Sequence, residues 1–109
     1  MERFVRGDVV ILPFPFSDLT GAKRRPALVL ADLSGDDAIL CQITSRAGFD
    51  KYAVEICIND FLFGSLPLDS YARPNKLFTA DKSLIISTAG RLNHRKFEEV
   101  IQFVINIFS

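Results

Sequence analysis

The sequence predicts a mainly β domain, a small and strongly bent antiparallel barrel with one C-terminal amphipathic helix. Short runs rich in Val, Ile, Leu and Phe recur along most of the chain, separated by brief clusters of Gly, Pro, Asn, Asp and Ser. Only the last stretch has helical spacing, with Phe97, Val100, Ile101, Val104 and Phe108 forming one apolar stripe behind Asn93. A chain of 109 residues, 49% apolar and 24% charged, is enough for one folded domain over 1–109 and too short for two.

The first unit is strand, loop, strand. Gly7-Asp8-Val9-Val10-Ile11-Leu12 leads into a loop punctuated by Ser17, Asp18 and Gly21, and Pro26 opens the run Ala27-Leu28-Val29-Leu30. Asp18 has the spacing of an Asx-type turn with Thr20 and Gly21. Phe14 and Phe16 are expected in the core or at a subunit contact. Ser34-Gly35-Asp36-Asp37 is a turn, and Ala38-Ile39-Leu40-Cys41-Gln42-Ile43-Thr44 a third, mostly buried strand. After a polar loop, Tyr52 to Ile56 alternates as a short fourth strand, and Asn59-Asp60 and Gly64-Ser65 mark irregular connections.

Pro74 cannot donate to a ladder, so Asn75 to Thr79 is expected as a bent edge strand. Asp81-Lys82-Ser83 caps a single helical turn, Ile85 to Ala89 closes the sheet, and Asn93 caps a helix from His94 to about Phe108. His94 at a helix start is poorly placed to carry a proton and receives no catalytic role.

Thirteen Lys and Arg balance thirteen Asp and Glu, so any affinity for a polyanion must come from local arrangement and not from net charge. Cys41 and Cys57 lack Cys-x-x-Cys spacing and His94 is the only histidine, which is too few ligands for a zinc site or a disulfide framework. Reduced, half-buried thiols and no metal or other cofactor are expected. Charges at Glu2, Arg3, Arg6 and Asp8 leave no signal h-region or membrane span, which points to the cytoplasm.

Two places could hold chemistry. A basic triplet such as Lys23-Arg24-Arg25 is more often a solvated loop than a site, but Arg25 directly precedes Pro26 and the strand, so the sheet should hold its backbone. A positioned guanidinium can bind phosphate bidentately and neutralise charge as it develops. Thr44-Ser45 at the exit of the third strand would by spacing alone be turn formers.

Gly-Asp-Val-Val from Gly7, Phe-Pro-Phe-Ser-Asp from Phe14 and Arg-Arg-Pro-Ala-Leu-Val-Leu from Arg24 resemble the opening of the MazF/PemK (Kid) toxins of bacterial toxin–antitoxin modules. The resemblance spans nearly the full length. It implies an SH3-like barrel, usually a homodimer, acting as a sequence-specific endoribonuclease on single-stranded RNA, mRNA included, and so arresting translation and growth. By the same resemblance Arg25 and Thr44 are the catalytic pair, promoting attack of a ribose 2′-OH on its own 3′-phosphate without metal. Lys23, Arg24 and Ser45 beside them, and Arg73, Lys76 and Lys82 on the later edge, are the candidate RNA contacts, with Phe49, Tyr52 or Tyr71 available to stack on bases. A cognate acidic antitoxin is the implied partner.

Many of these toxins carry an acid shortly before the Arg-Pro step, where this chain has Ala22-Lys23-Arg24, so no general base is evident. Two other readings stay open. The CcdB gyrase poisons share the fold and cleave nothing, their activity residing in the C-terminal helix, whereas the signal here lies in Arg25 and Thr44. A non-toxic interaction module of the same fold is the third, favoured by the missing acid.

Overall fold

Val9 and Val10 are neighbours on one strand and both are fully buried. Successive strand residues point to opposite faces, so this sheet must be covered on both. In the computed structural model, which describes residues 4–14, 23–48 and 50–109, that is the organising fact. The strands are β1 (Asp8–Phe14), β2 (Lys23–Asp32), β3 (Asp37–Thr44), β4 (Val54–Ile56), β5 (Phe61–Gly64), β6 (Ser70–Asp81) and β7 (Ser87–Leu92), followed by the helix α1 (His94–Ile107). They form one seven-stranded antiparallel sheet in the order β4-β6-β3-β2-β1-β7-β5, curled into a half-barrel.

On one face Val9, Leu28, Leu30, Cys41, Ile43, Val54, Ile56 and Ala72 meet Phe97 and Val100 of α1. On the other, Val10, Leu12, Phe14, Ala27, Val29, Ala38 and Leu40 pack beneath Phe4, with Phe78, Ala80 and Ile85 against them. Strand residues alternate between the two clusters, as Leu28, Val29 and Leu30 do in turn. Phe14 is thus a core residue, its ring edge-on to Phe78 at 5.0 Å between centroids. Phe16, Phe49 and the Asp18 turn lie outside the described residues.

The helix begins as the sequence requires. Asn93 Oδ1 accepts the Lys96 N–H at 2.8 Å, satisfying one of the free donors of the first turn. Phe97 and Val100 are buried and Ile101 and Val104 pack against the same cluster, but Phe108 is 78% exposed and is no part of the stripe. The helix has ended at Ile107, so Phe108 no longer follows the helical rotation that aims its predecessors at β4 and β6.

The later strands differ from the expected bounds. β6 runs twelve residues, not five, and its first part lies between β4 and β3; from Arg73 onward it pairs with β3 alone among the described strands. Pro74 is accommodated by a jump in register: Gln42 opposes Arg73 while Cys41 opposes Leu77, leaving Pro74, Asn75 and Lys76 out of the ladder. Phe61 to Gly64, between the irregular connections expected at Asn59-Asp60 and Gly64-Ser65 and not itself expected as a strand, forms β5 at the sheet edge against β7. The closing strand is shifted to Ser87–Leu92, beyond a 3₁₀ turn at Lys82–Leu84 capped by Asp81, which accepts the Ser83 N–H at 2.8 Å. Both cysteines are free, Cys41 fully buried rather than half-buried.

Candidate functional site

The register of four adjacent strands places a polar row on the face opposite α1. Thr44 opposes Tyr71 and Tyr71 opposes Glu55, so these three side chains share one face of β3, β6 and β4. Their chain neighbours Ile43, Ala72, Val54 and Ile56 all enter the cluster under α1, which fixes that face as the other one. Ala27 opposes Gln42, and two residues further along each strand this register brings Arg25 to the same end and face as Thr44. Arg25 also opposes Leu12, which packs on that face. Arg25, Thr44, Tyr71 and Glu55 therefore form a row across three strand spacings of about 4.8 Å each, about 14 Å along the sheet.

Arg25 is half-buried, and its Nε–H is a buried polar group without a hydrogen-bond partner among the described residues. An unpaired buried donor costs about 1–3 kcal/mol, so a fold that retains one commonly does so for a ligand or a reaction. Lys23 is exposed on the same face of β2, while alternation turns Arg24 to the opposite face. Thr44 closes a small turn: its Oγ1 accepts the Arg46 N–H at 3.1 Å and donates to the Arg46 carbonyl at 3.2 Å. The turn-former reading of Thr44 is thus true of its conformation. That turn also fixes the hydroxyl at the strand exit with acceptor capacity to spare.

Beyond Thr44 the surface opens into a cleft of about 510 Å³, walled by Ser45, Arg46, Gly48, Asp50, Glu55 and Tyr71. Arg73, opposite Gln42, donates its Nε–H to Asp50 Oδ2 at 2.9 Å. Burial pushes the Asp50 carboxyl up, but the Tyr52 N–H and the Arg73 guanidinium outweigh it and hold the group below its usual range. Arg73 therefore reaches the site already partnered. Lys76 is exposed on the bulge beside it.

Lys82 does not join the row. It follows Asp81, which opposes Asp37 at the far end of β3, about 23 Å from Thr44 at 3.3 Å per residue. There its Nζ donates to the Leu33 and Gly35 carbonyls, both at 2.9 Å, and pairs with Asp32, so it staples the β2–β3 turn. Sequence reasoning missed Arg46 and Glu55. Glu55 was visible only as the outward residue of an alternating strand, and Arg46 only as a cation one residue past the hydroxyl pair. Tyr52 lies under Lys51, whose Nζ is 5.3 Å from the ring centroid. Among the described residues no three His, Cys, Asp or Glu side chains gather as metal ligands, and no helix is long and apolar enough to cross a membrane.

Comparison with solved structures returns one fold. A mycobacterial endoribonuclease in complex with its cognate antitoxin aligns at a TM-score of 0.76 with 15% identity, covering 97% of this chain and 95% of that one. A MazE-MazF structure from Deinococcus radiodurans aligns at 0.76 with 17% identity, covering 100% and 98%. A second MazE-MazF form from that organism aligns at 0.73 with 22% identity, covering 94% of each chain. No curated protein sequence matches this chain. The model of the family described as the PemK-like, MazF-like toxin of type II toxin-antitoxin systems matches residues 5–108, and the chain belongs to that family.

Proposed function

We propose that this toxin is a metal-independent endoribonuclease that cuts single-stranded RNA at the Arg25–Thr44 end of the polar row. The observation that carries this reading is the buried Nε–H of Arg25, without a partner among the described residues, on the same face and strand end as Thr44. In the reaction the ribose 2′-oxygen bonds to the adjacent phosphorus and the bond from phosphorus to the 5′-oxygen breaks. The products are a 2′,3′-cyclic phosphate and a 5′-OH, the proton lost at the 2′-oxygen being balanced by one gained at the departing oxygen. The nucleophile is already tethered to the phosphorus, so positioning and charge neutralisation are what the protein must supply. Arg25 binds and neutralises the phosphoryl oxygens, while the Thr44 hydroxyl turns its one O–H from the Arg46 carbonyl to donate to one of them. Lys23, Ser45 and Lys76 hold flanking phosphates, with Arg73 contributing the guanidinium N–H groups that Asp50 leaves over.

The test is cleavage of a single-stranded RNA in excess EDTA by the whole protein. Cleavage should persist, and Arg25→Ala and Thr44→Ala should each lose at least about a hundredfold, the usual scale for removing one transition-state donor. Activity that returns only with added Mg²⁺, or an Arg25→Ala protein as active as the parent, would overturn the reading.

Two partners accompany it. The exposed apolar residues Ile58, Leu62 and Leu68 support a twofold homodimer, which sedimentation would report as twice the 12.2 kDa chain mass. The acidic antitoxin should compete with RNA for the cationic end of the row. Simultaneous binding of the antitoxin and an uncleavable RNA would rule that out.

A further inference from the structure

The cleft beyond Thr44 is larger than phosphate contacts need, and its chemistry is not that of a phosphate site. The Glu55 carboxylate makes no hydrogen bond or ion pair among the described residues, although its backbone carbonyl accepts Lys96 Nζ at 3.0 Å. Tyr71 stands between Glu55 and Thr44 in the same cross-strand row and lines the same cleft. Asp50, the other carboxylate there, already accepts from Tyr52 and Arg73, so Glu55 is the acceptor left for a ligand. A free carboxylate beside the cleavage site repels phosphate. It must face the part of the RNA that offers donors, which is a base edge.

We propose that this cleft is a base pocket selective for guanine, stacking the base on Tyr71 and reading its Watson–Crick edge with Glu55. An ionised carboxylate only accepts, and it binds best where two parallel N–H donors meet its two oxygens. Guanine presents that pair, N1–H beside the 2-amino group. Adenine and cytosine each place one amino group next to a ring nitrogen that accepts, which a carboxylate repels, and uracil offers one N–H flanked by two carbonyls. Arg46 in the same wall supplies donors for the guanine O6. Unpaired bases splayed from single strands are commonly read in this way, by an aromatic face together with a polar edge contact. Cross-strand geometry puts Glu55 two strand spacings from Thr44, about 10 Å, so the base read is adjacent to the phosphate cut.

The inference rests on the ribonuclease reading for its biological meaning, but its test does not need cleavage. The probes are 2′-O-methyl pentanucleotides, four uridines around a central guanine, inosine, adenine or cytosine, whose blocked 2′-oxygens prevent attack. Their binding to the whole protein is measured by fluorescence anisotropy. The guanine probe should bind about tenfold more tightly than the adenine and cytosine probes, with inosine, which lacks the 2-amino group, in between. Glu55→Gln, at an exposed position that should tolerate it, should bring all four within about threefold and should not weaken the binding of an all-uridine probe, since it removes a charge that repels phosphate.

Equal binding of the four, preference for another base, no binding at all, or a guanine preference that survives Glu55→Gln would each overturn the pocket. A parallel assay on unmodified RNA separates the two claims. Guanine-selective binding without cleavage would sink the ribonuclease reading alone, and cleavage indifferent to guanine would sink the pocket alone.

Discussion

Asp50 and Arg73 are joined by an Nε–H to Oδ2 hydrogen bond of 2.9 Å that ties the β3–β4 loop to β6 beside the cleft. Asp50 also accepts the Tyr52 N–H at 3.0 Å, so one carboxylate fixes both the loop and the guanidinium. Asp50→Ala should therefore cost about 1–2 kcal/mol in denaturant unfolding, the scale of a charge-assisted hydrogen bond at a partly buried site. The folded-state pKa of Asp50 is depressed, so the stability it contributes is present above the unfolded value near 4 and is lost as pH falls through the lower folded value. Acid unfolding of Asp50→Asn should show a shallower dependence below about pH 4 than the parent, and an unchanged acid limb would refute the assignment.

Lys82 gives the opposite expectation. Because it staples the β2–β3 turn through two carbonyls and Asp32, Lys82→Ala should lower stability by about 1 kcal/mol and leave RNA cleavage within about twofold. Thermal melts beside a cleavage assay check both halves. A large fall in RNA affinity with no change in melting temperature would restore Lys82 to the binding surface.

The local signals in the sequence were accurate where the physics is local. The cap of Asn93, the stripe from Phe97 to Val104, the buried run from Ala38 to Ile43 and the turn after Asp81 depend on neighbours within a few residues, and each is where it was expected. The misses depend on partners far along the chain. Phe61-Leu62-Phe63-Gly64 has no alternation to mark it, because β5 is made a strand by β7. Ile85 and Ile86 drew the closing strand too early, while Ser87, Thr88, Gly90 and Arg91 belong to it because β1 pairs with them. Pro74 broke the pattern of β6, and only the register jump beside Cys41 shows how one strand continues through it.

The site follows the same rule. Arg25 and Thr44 could be nominated as candidates from motif and strand ends, but Glu55, a further row-mate of Thr44, could be placed only once two registers were known.

The two thiols should differ sharply. Burial pushes the Cys41 thiol up to about 12, outweighing the Arg73 backbone N–H beside it, and its Sγ sits in the cluster under the helix, 3.7 Å from the Gln42 carbonyl. The thiolate is the reactive form, so Cys41 should resist alkylation at pH 8 for as long as the protein stays folded. Cys57 is half-exposed; partial burial and then the negative charges of Glu55, Asp69 and Asp60 raise its pKa as well, so it should react, though more slowly than a free thiol. Mass spectrometry after maleimide treatment should show one adduct on the native chain and two in urea. Two adducts at equal rates on the native protein would contradict the burial of Cys41.

The sheet edge that ends at β5 depends on glycine for space. Gly64 and Gly90 are cross-strand partners, and a Cβ built on Gly90 would overlap the Phe63 carbonyl and come within 2.9 Å of the Phe61 ring and 3.0 Å of the Gly64 Cα. Two of those three obstacles are backbone, which cannot swing aside as a flexible side chain can, so the strands would have to separate. Gly90→Ala should accordingly cost about 3 kcal/mol or more, the upper end of what overpacking a tight site produces. Gly35 supplies the control. It has φ +92 in the β2–β3 turn but nothing near its Cβ position, so Gly35→Ala carries only the strain of a left-handed conformation, about 1–2 kcal/mol. Paired urea titrations should rank Gly90→Ala as clearly the more destabilised. Because β5 and β7 lie at the opposite side of the sheet from β4, the surviving folded fraction of Gly90→Ala should still bind RNA with parental affinity. A Gly90→Ala protein as stable as Gly35→Ala would mean that the β5–β7 approach is looser than the backbone geometry requires.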